Sequence, residues 1–333
     1  MSQQAGITAI GSYLPAAKIT NTDLEKTVET TDEWITSRTG IKERRQAAAG
    51  ENCSDMAAYA CSKALQKARL LPQDVDLIIS TSLSPDKICP STASLIQGKL
   101  GLTRAAAFDL SAACAGFSFA LATGAGFINS GMYKNVLVVG AEAISRLIDW
   151  TDRNTCILFG DGAGAAVLQS VAKPYGILGS YLANDGNKAN LIQIPAGGSS
   201  MPASIQTVEQ NDHFLKMQGK EVFRFAVRVI PIAINNVLAK ARVGLEEVTL
   251  FIPHQANIRI IEAAAKKLNV PRNKFFTNLE YLGNTSTASV PLALEAAVNE
   301  GRLKKGDLVI IIGFGAGLSW GANVIRWGIG KGE

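Results

Sequence analysis

The chain has 333 residues, 47% hydrophobic and 18% charged, a composition that fits one large globular unit or two fused halves and argues against disorder. Its net charge of +5, with no long Lys/Arg run, gives no case for nucleic-acid binding, and no uninterrupted apolar stretch approaches the ~20 residues of a membrane span. Five cysteines, odd in number and without a C-x-x-C pair, indicate neither a disulfide framework nor a zinc site, and reduced thiols fit a cytoplasmic protein. The opening Met1-Ser2-Gln3-Gln4-Ala5-Gly6 has neither the basic nor the apolar segment of a secretory signal.

Along the chain, short β-branched runs alternate with helical patterns, the signature of a parallel sheet joined by crossover helices. The predicted strands are 75–80, 105–110, 136–140 and 163–168 in the first half, then 248–253, 274–278, 308–313 and 322–327 in the second. Three landmarks repeat at nearly constant separation: Thr81 with His254, Cys114 with Asn284, and Gly140 with Gly313. The repeat predicts an internal duplication, two related α/β units with boundaries at 1–172 and 173–333. Residues 184–218 between them are polar and Gly/Ser-rich and are expected to form a surface excursion or lid.

Cys114 follows an apolar strand-like run and opens a small-residue helix. Unpaired N–H groups at a helix start favour a thiolate, so a nucleophile is expected here; a lone cysteine among alanines also fits a packed core. Histidine is scarce. His213 lies in a polar, surface-like stretch, whereas His254 ends an apolar strand, where ligands bind in open α/β sheets. Asn284 stands at the matching helix start of the second half, where it also fits an ordinary cap.

The ordered set Ala112-Ala113-Cys114-Ala115-Gly116, Phe159-Gly160-Asp161-Gly162, His254-Gln255-Ala256-Asn257, Gly283-Asn284-Thr285-Ser286 and Gly313-Phe314-Gly315-Ala316-Gly317 closely resembles β-ketoacyl-acyl carrier protein synthase III. This family of the thiolase-fold superfamily initiates type II fatty acid synthesis, and the resemblance runs over nearly the whole chain. It implies an internally duplicated α/β fold with two mixed sheets and buried central helices, layered α/β/α/β/α. It implies no cofactor, CoA thioester substrates, malonyl-acyl carrier protein as second substrate, and a homodimer.

The resemblance also assigns residues. Cys114 would take the acyl group, with its own N–H and that of Ala316 as oxyanion hole, while His254 and Asn284 would stabilise an enolate. Thr30, Trp34, Arg38, Arg153, Gly219, Phe223, Ala256 and Asn257 would meet CoA, with an adenine held among Trp34, Arg38 and Arg153. Arg224, Arg228, Arg259, Lys266 and Lys267 would form a basic rim for the acidic carrier protein. Cys89 stands where the family commonly has Phe, on a loop that enters the partner's acyl pocket, so a deeper primer pocket is expected. From the residues alone, a cysteine hydrolase or a catalytically silent binding protein would also fit. A related condensing or acyltransfer enzyme of secondary metabolism would keep much the same triad.

Overall fold

Short apolar runs form strands that assemble into two main sheets, beside two small two-stranded ribbons. A computed structural model describes residues 4–330; Met1 to Gln3, where the N-terminal signal reading begins, lie outside the described residues. The first sheet contains β1 (Gln4–Tyr13), β2 (Leu77–Thr81), β3 (Ala106–Asp109), β4 (Val136–Glu142) and β5 (Gly162–Val171), in the order β1-β5-β4-β2-β3. The second contains β6 (Gly176–Asn184), β7 (Leu250–Pro253), β8 (Leu308–Gly315) and β9 (Ser319–Arg326), in the order β7-β8-β9-β6.

Both sheets are mixed rather than parallel. In the first, β4, β2 and β3 run parallel while β1, β5 and β4 pair antiparallel. The second repeats this pattern, with β7 and β8 parallel and β8, β9 and β6 antiparallel. The turn from Gly315 to Ser319 is too short for a crossover, so β9 must return antiparallel. The expected strand at 274–278 shrinks to one bridge, Phe251 with Phe275, at the place β3 holds in the first half.

Helices complete five layers. α1 (Asp32–Thr39) presents residues to the site; α2 (Cys53–Ala68) and α3 (Thr92–Leu100) cover the first sheet. α4 (Gly116–Asn129) and α7 (Ser289–Asn299) touch strands of both sheets and form the central layer. α5 (Gly219–Ala241) and α6 (Ile258–Leu268) pack together on the outer side of the second sheet. At 23 residues α5 is long and apolar enough to cross a membrane, the one such helix among the described residues. It buries Phe225, Val229, Ile230 and Ile234 in the core while exposing Arg224 and Arg228, as an amphipathic core helix does.

The duplication is more regular than the sequence suggests. Ala113 and Ser286 both take left-handed backbone conformations, φ +46° and +47°, in the short 3-10 turns that lead into α4 and α7. Their separation is 286 − 113 = 173, equal to 254 − 81 and 313 − 140. Cys114 is therefore the counterpart of Thr287, and not of Asn284 as the sequence matching had it.

The central layer is held by backbones in near contact. A Cβ on Gly116 would come within 1.8 Å of Thr81 Oγ1, one on Gly140 within 2.9 Å of the Thr287 carbonyl, and one on Gly313 within 2.8 Å of Ala115 Cα. All these partners are buried, and each must shift to admit a methyl group. Gly116→Ala is expected to destabilise the protein by about 1–3 kcal/mol through overpacking. Denaturant unfolding checks this, and a stability equal to that of the unmodified protein would contradict the packing described.

Candidate active site

The central turns bring residues from both halves to one cavity of about 700 Å³, lined by Cys114, His254, Asn284, Phe314, Gly315 and Ala316 at its base. Gly315 lies so close that a Cβ there would meet Cys114 Cβ at 2.7 Å. The N–H groups of Cys114 and Ala316 stand close enough to the Cys114 sulfur to favour its charged form. A carbonyl oxygen formed beside that sulfur would find two backbone donors already aimed.

Electrostatics at the thiol run against the helix-start expectation. Burial is the leading cause of a rise in the Cys114 pKa from 9.0 to about 12. The nearby Glu142 charge adds to the rise, while the Ser286 hydroxyl and the two N–H groups oppose it. The rise is worth about 4 kcal/mol against the thiolate, whereas a helix end supplies at most about 2 kcal/mol. Burial wins, and the ligand-free site holds a neutral thiol.

His254 continues the β7 ladder, its N–H donating to the Ile312 carbonyl at 2.7 Å, and its ring packs edge-on against Phe314. Burial lowers its pKa from 6.5 to about 3, so the ring is neutral. Ser289 on α7 fixes the ring's orientation. The Ser289 Oγ lies 2.7 Å from Nδ1 and accepts the Gln255 N–H at 3.2 Å. With the Ser289 proton on this bond, Nε2 carries the ring proton and is the donor.

Asn284 both caps a turn and faces the cavity. Its Oδ1 accepts the Ser286 N–H at 2.8 Å, which leaves the NH₂ group as its free side-chain donor. Its backbone pairs with the 158–160 segment through Leu158 O and Gly160 N. That segment is braced by Arg44, fully buried, whose guanidinium donates to the carbonyls of Ile157 and Ile19 and to Asn21 Oδ1. Burial pulls the Arg44 pKa down to about 10, still far above neutrality, so a cation stays beneath the site. Neither Ser289 nor Arg44 announced itself in the sequence, because Ser289 lies 35 positions from His254 and Arg44 lies 113 from Ile157.

The cavity lining also includes most of the expected CoA residues: Trp34, Arg38, Gly219, Phe223, Ala256 and Asn257. Thr31 caps α1 through the Trp34 N–H, and Gly40 ends that helix at φ +79°, so Trp34 and Arg38 share a short, firmly bounded helix. Arg153 does not line the cavity. Its guanidinium lies 4.9 Å from the Trp34 ring centre and Arg38's lies 5.7 Å from it, so the cations bracket the indole itself. Thr30 also lies off the lining, with its hydroxyl buried and unpartnered. Asn257 is committed locally, capping α6 through Arg259 N and donating to the Arg38 carbonyl.

Arg224 and Arg259 reach the cavity rim, with Arg228, Lys266 and Lys267 exposed on the same two helices; Arg224 is ion-paired with Glu221 at 2.6 Å. Cys89 is exposed and off the cavity. The 184–218 excursion is no mere surface loop, since Ile192, Leu215 and Met217 form part of the cavity wall.

Residues 108–186 match the family described as 3-oxoacyl-[acyl-carrier-protein (ACP)] synthase III, and residues 238–327 match its C-terminal region. A β-ketoacyl-[acyl-carrier-protein] synthase III of Caldanaerobacter subterraneus subsp. tengcongensis is 53% identical over 97% of this chain and 98% of its own. The chain belongs to the β-ketoacyl-acyl carrier protein synthase III family. It is a condensing acyltransferase. The crystal structure of the 3-oxoacyl-[acyl-carrier-protein] synthase III of Aquifex aeolicus superposes with a TM-score of 0.90 at 47% identity, covering 97% of this chain and 100% of that one. A priming β-ketosynthase of a polyketide biosynthetic pathway gives a TM-score of 0.92 at 35% identity, covering 99% and 98%. The thiolase-like fold is thereby established.

The neutral His254 has a signature in stability. Between the unfolded value of 6.5 and the folded value of about 3, only the unfolded chain binds the imidazole proton, so His254 makes stability fall as pH drops through that window. His254→Asn is expected to flatten this part of the curve in denaturant titrations. An unchanged slope would show that the ring is not buried in its neutral form.

Proposed function

We propose that Cys114, His254 and Asn284 divide one condensation into two half-reactions on the shared cavity. The enzyme joins an acyl-CoA primer to malonyl-acyl carrier protein, giving a β-ketoacyl-acyl carrier protein, CoA and CO₂, and so initiates fatty acid synthesis without a cofactor. Its 53% identity to a synthase III, against 35% to the polyketide priming enzyme, favours this over a role in secondary metabolism.

In the first half-reaction the Cys114 sulfur attacks the thioester carbonyl. The Cys114 and Ala316 N–H groups hold the oxyanion, and CoA leaves the acyl group on the thiol. In the second, malonyl thioester loses CO₂ and the charge moves to its carbonyl oxygen. His254 Nε2–H and the Asn284 NH₂ group donate to that oxygen, and the enolate carbon attacks the acyl-cysteine. Neutral donors suit a site where charge must build: a cationic ring would hold the malonyl carboxylate, and a carboxylate at 284 would repel the enolate. The observation that carries this reading is the meeting of a buried thiol, a neutral imidazole and a free carboxamide donor on one cavity whose lining also includes Trp34 and Arg38.

CoA would enter past Trp34, displacing the bracketing guanidiniums of Arg38 and Arg153 onto its phosphates, with Thr30, Gly219, Phe223, Ala256 and Asn257 along the pantetheine arm. The carrier protein would dock on Arg224, Arg228, Arg259, Lys266 and Lys267. We also read the protein as a cytoplasmic homodimer. The 88–89 loop, with Ile88 almost wholly exposed, would supply Cys89 to the partner's acyl pocket. The halves 1–172 and 173–333 would act as one body.

Intact-mass spectrometry after incubation with a series of acyl-CoAs tests the first half-reaction. An acyl adduct is expected on the enzyme and absent from Cys114→Ala; adducts longer than propionyl support the deeper primer pocket, and their absence removes it. His254→Ala is expected to acylate normally yet leave malonyl-acyl carrier protein undecarboxylated, and a folded variant that fails to acylate would overturn the division of roles. Trp34→Ala is expected to raise KM for acyl-CoA about tenfold with kcat little changed, the loss of a cation–π and stacking contact worth about 1.4 kcal/mol. An unchanged KM in steady-state assays would remove Trp34 from the CoA site.

A further inference from the structure

Beside the nucleophile lies a carboxyl group that this chemistry leaves unused. Glu142 ends β4 completely buried. Its carboxylate accepts the N–H groups of Leu83 and Ser84 at 3.1 Å, the hydroxyls of Ser84 at 2.5 Å and Ser82 at 3.3 Å, and the Thr287 N–H at 3.5 Å. The titratable groups facing it are the buried thiols of Cys114 and Cys53. Hydroxyl and backbone donors hold its charge, and burial raises its proton affinity.

Ser286 joins this carboxylate to the nucleophile. Its hydroxyl donates to Cys114 Sγ at 3.2 Å and stands close enough to the Glu142 side chain to favour that group's charged form. The next residue, Thr287, reaches the same carboxylate through its N–H, so one turn holds both contacts. That turn keeps Ser286 in a left-handed conformation costing about 1–2 kcal/mol, fixed by the Asn284 carboxamide on its N–H. A buried hydroxyl with a neutral thiol on one side and a carboxylate on the other has the geometry of a proton relay.

We propose that Glu142, acting through the Ser286 hydroxyl, takes the Cys114 proton as the thiol attacks the acyl-CoA. The inference rests on Cys114 being the acyl acceptor. The sulfur lone pair forms the new C–S bond as the S–H bond breaks. That proton passes to Ser286 Oγ, and the Ser286 proton passes to Glu142, which becomes a neutral acid. When the tetrahedral intermediate collapses, the C–S bond to CoA breaks. The departing thiolate takes the proton back by the same route, leaving acyl-Cys114, CoA thiol and ionised Glu142.

The relay and a merely electrostatic Glu142 predict opposite signs. As a fixed charge Glu142 raises the proton affinity of Cys114, so Glu142→Gln would make the thiolate easier to form. The experiment follows single-turnover acyl transfer from acetyl-CoA and butyryl-CoA by intact mass, from about pH 6 to about pH 10. It compares unmodified enzyme, Glu142→Gln and Ser286→Ala, with Cys114→Ala as control and iodoacetamide labelling of Cys114 in parallel. Alanine suits position 286 because its counterpart Ala113 holds the same backbone conformation. Both variants are expected to acylate about 10²–10⁴-fold more slowly at neutral pH and to regain rate as the pH rises, while iodoacetamide labelling of Glu142→Gln quickens. Unchanged or faster acylation in either variant, or a loss that high pH does not restore, would overturn the relay. Acylation of Cys114→Ala would instead overturn the reading of Cys114.

Discussion

The near contact of two backbone turns at the molecular centre is the constraint on which the rest depends. Cys114 and Thr287 occupy equivalent turns, and Gly116, Gly140 and Gly313 let those turns approach the neighbouring strand ends until no side-chain carbon fits between them. Moving them apart by one methyl group would separate Cys114 on one half from Asn284, Ser286 and His254 on the other. The glycines thus act on chemistry through distance, and the surrounding apolar core keeps the distance fixed.

The same closeness decides the charge state of the site. Dry surroundings keep the thiol protonated, the imidazole neutral and the carboxamide uncharged, so none of these three groups carries charge at rest. Charge reaches the cavity's reacting atoms as substrate reacts, where fixed N–H donors meet it without having to reorganise. Helix ends are often credited with activating such thiols. Here burial outweighs that contribution, and the local geometry, not the helix end, must manage the proton.

Much of this was legible in sequence because the relevant signals are local. Apolar runs gave most strands to within a few residues, the motifs around Cys114 and His254 sit on strand-to-helix junctions, and a repeat offset exposed the duplication. β1 and β6 escaped because their glycines and half-buried positions blur the apolar pattern. Phe275 escaped differently: tertiary position leaves room for one bridge where a strand was expected. The matching of Cys114 with Asn284 erred by three residues, since both are polar groups near helix starts and only the backbone conformations of Ala113 and Ser286 reveal the true register. Ser289, Ser286, Glu142 and Arg44 were invisible because their partners are distant in the chain, and a lone serine or a strand-end glutamate carries no pattern.

Thr287 stands where symmetry would put a second nucleophile. Its hydroxyl instead accepts the Phe117 N–H at 3.0 Å and faces Thr81, itself the counterpart of His254. A site with identical halves would treat two thioesters alike and could not tell electrophile from nucleophile. Because one turn bears sulfur and the other a strut, while one strand end bears imidazole and the other a threonine, the cavity has a direction. The ordering of a two-substrate reaction is thus written into the unlike descendants of a repeated unit.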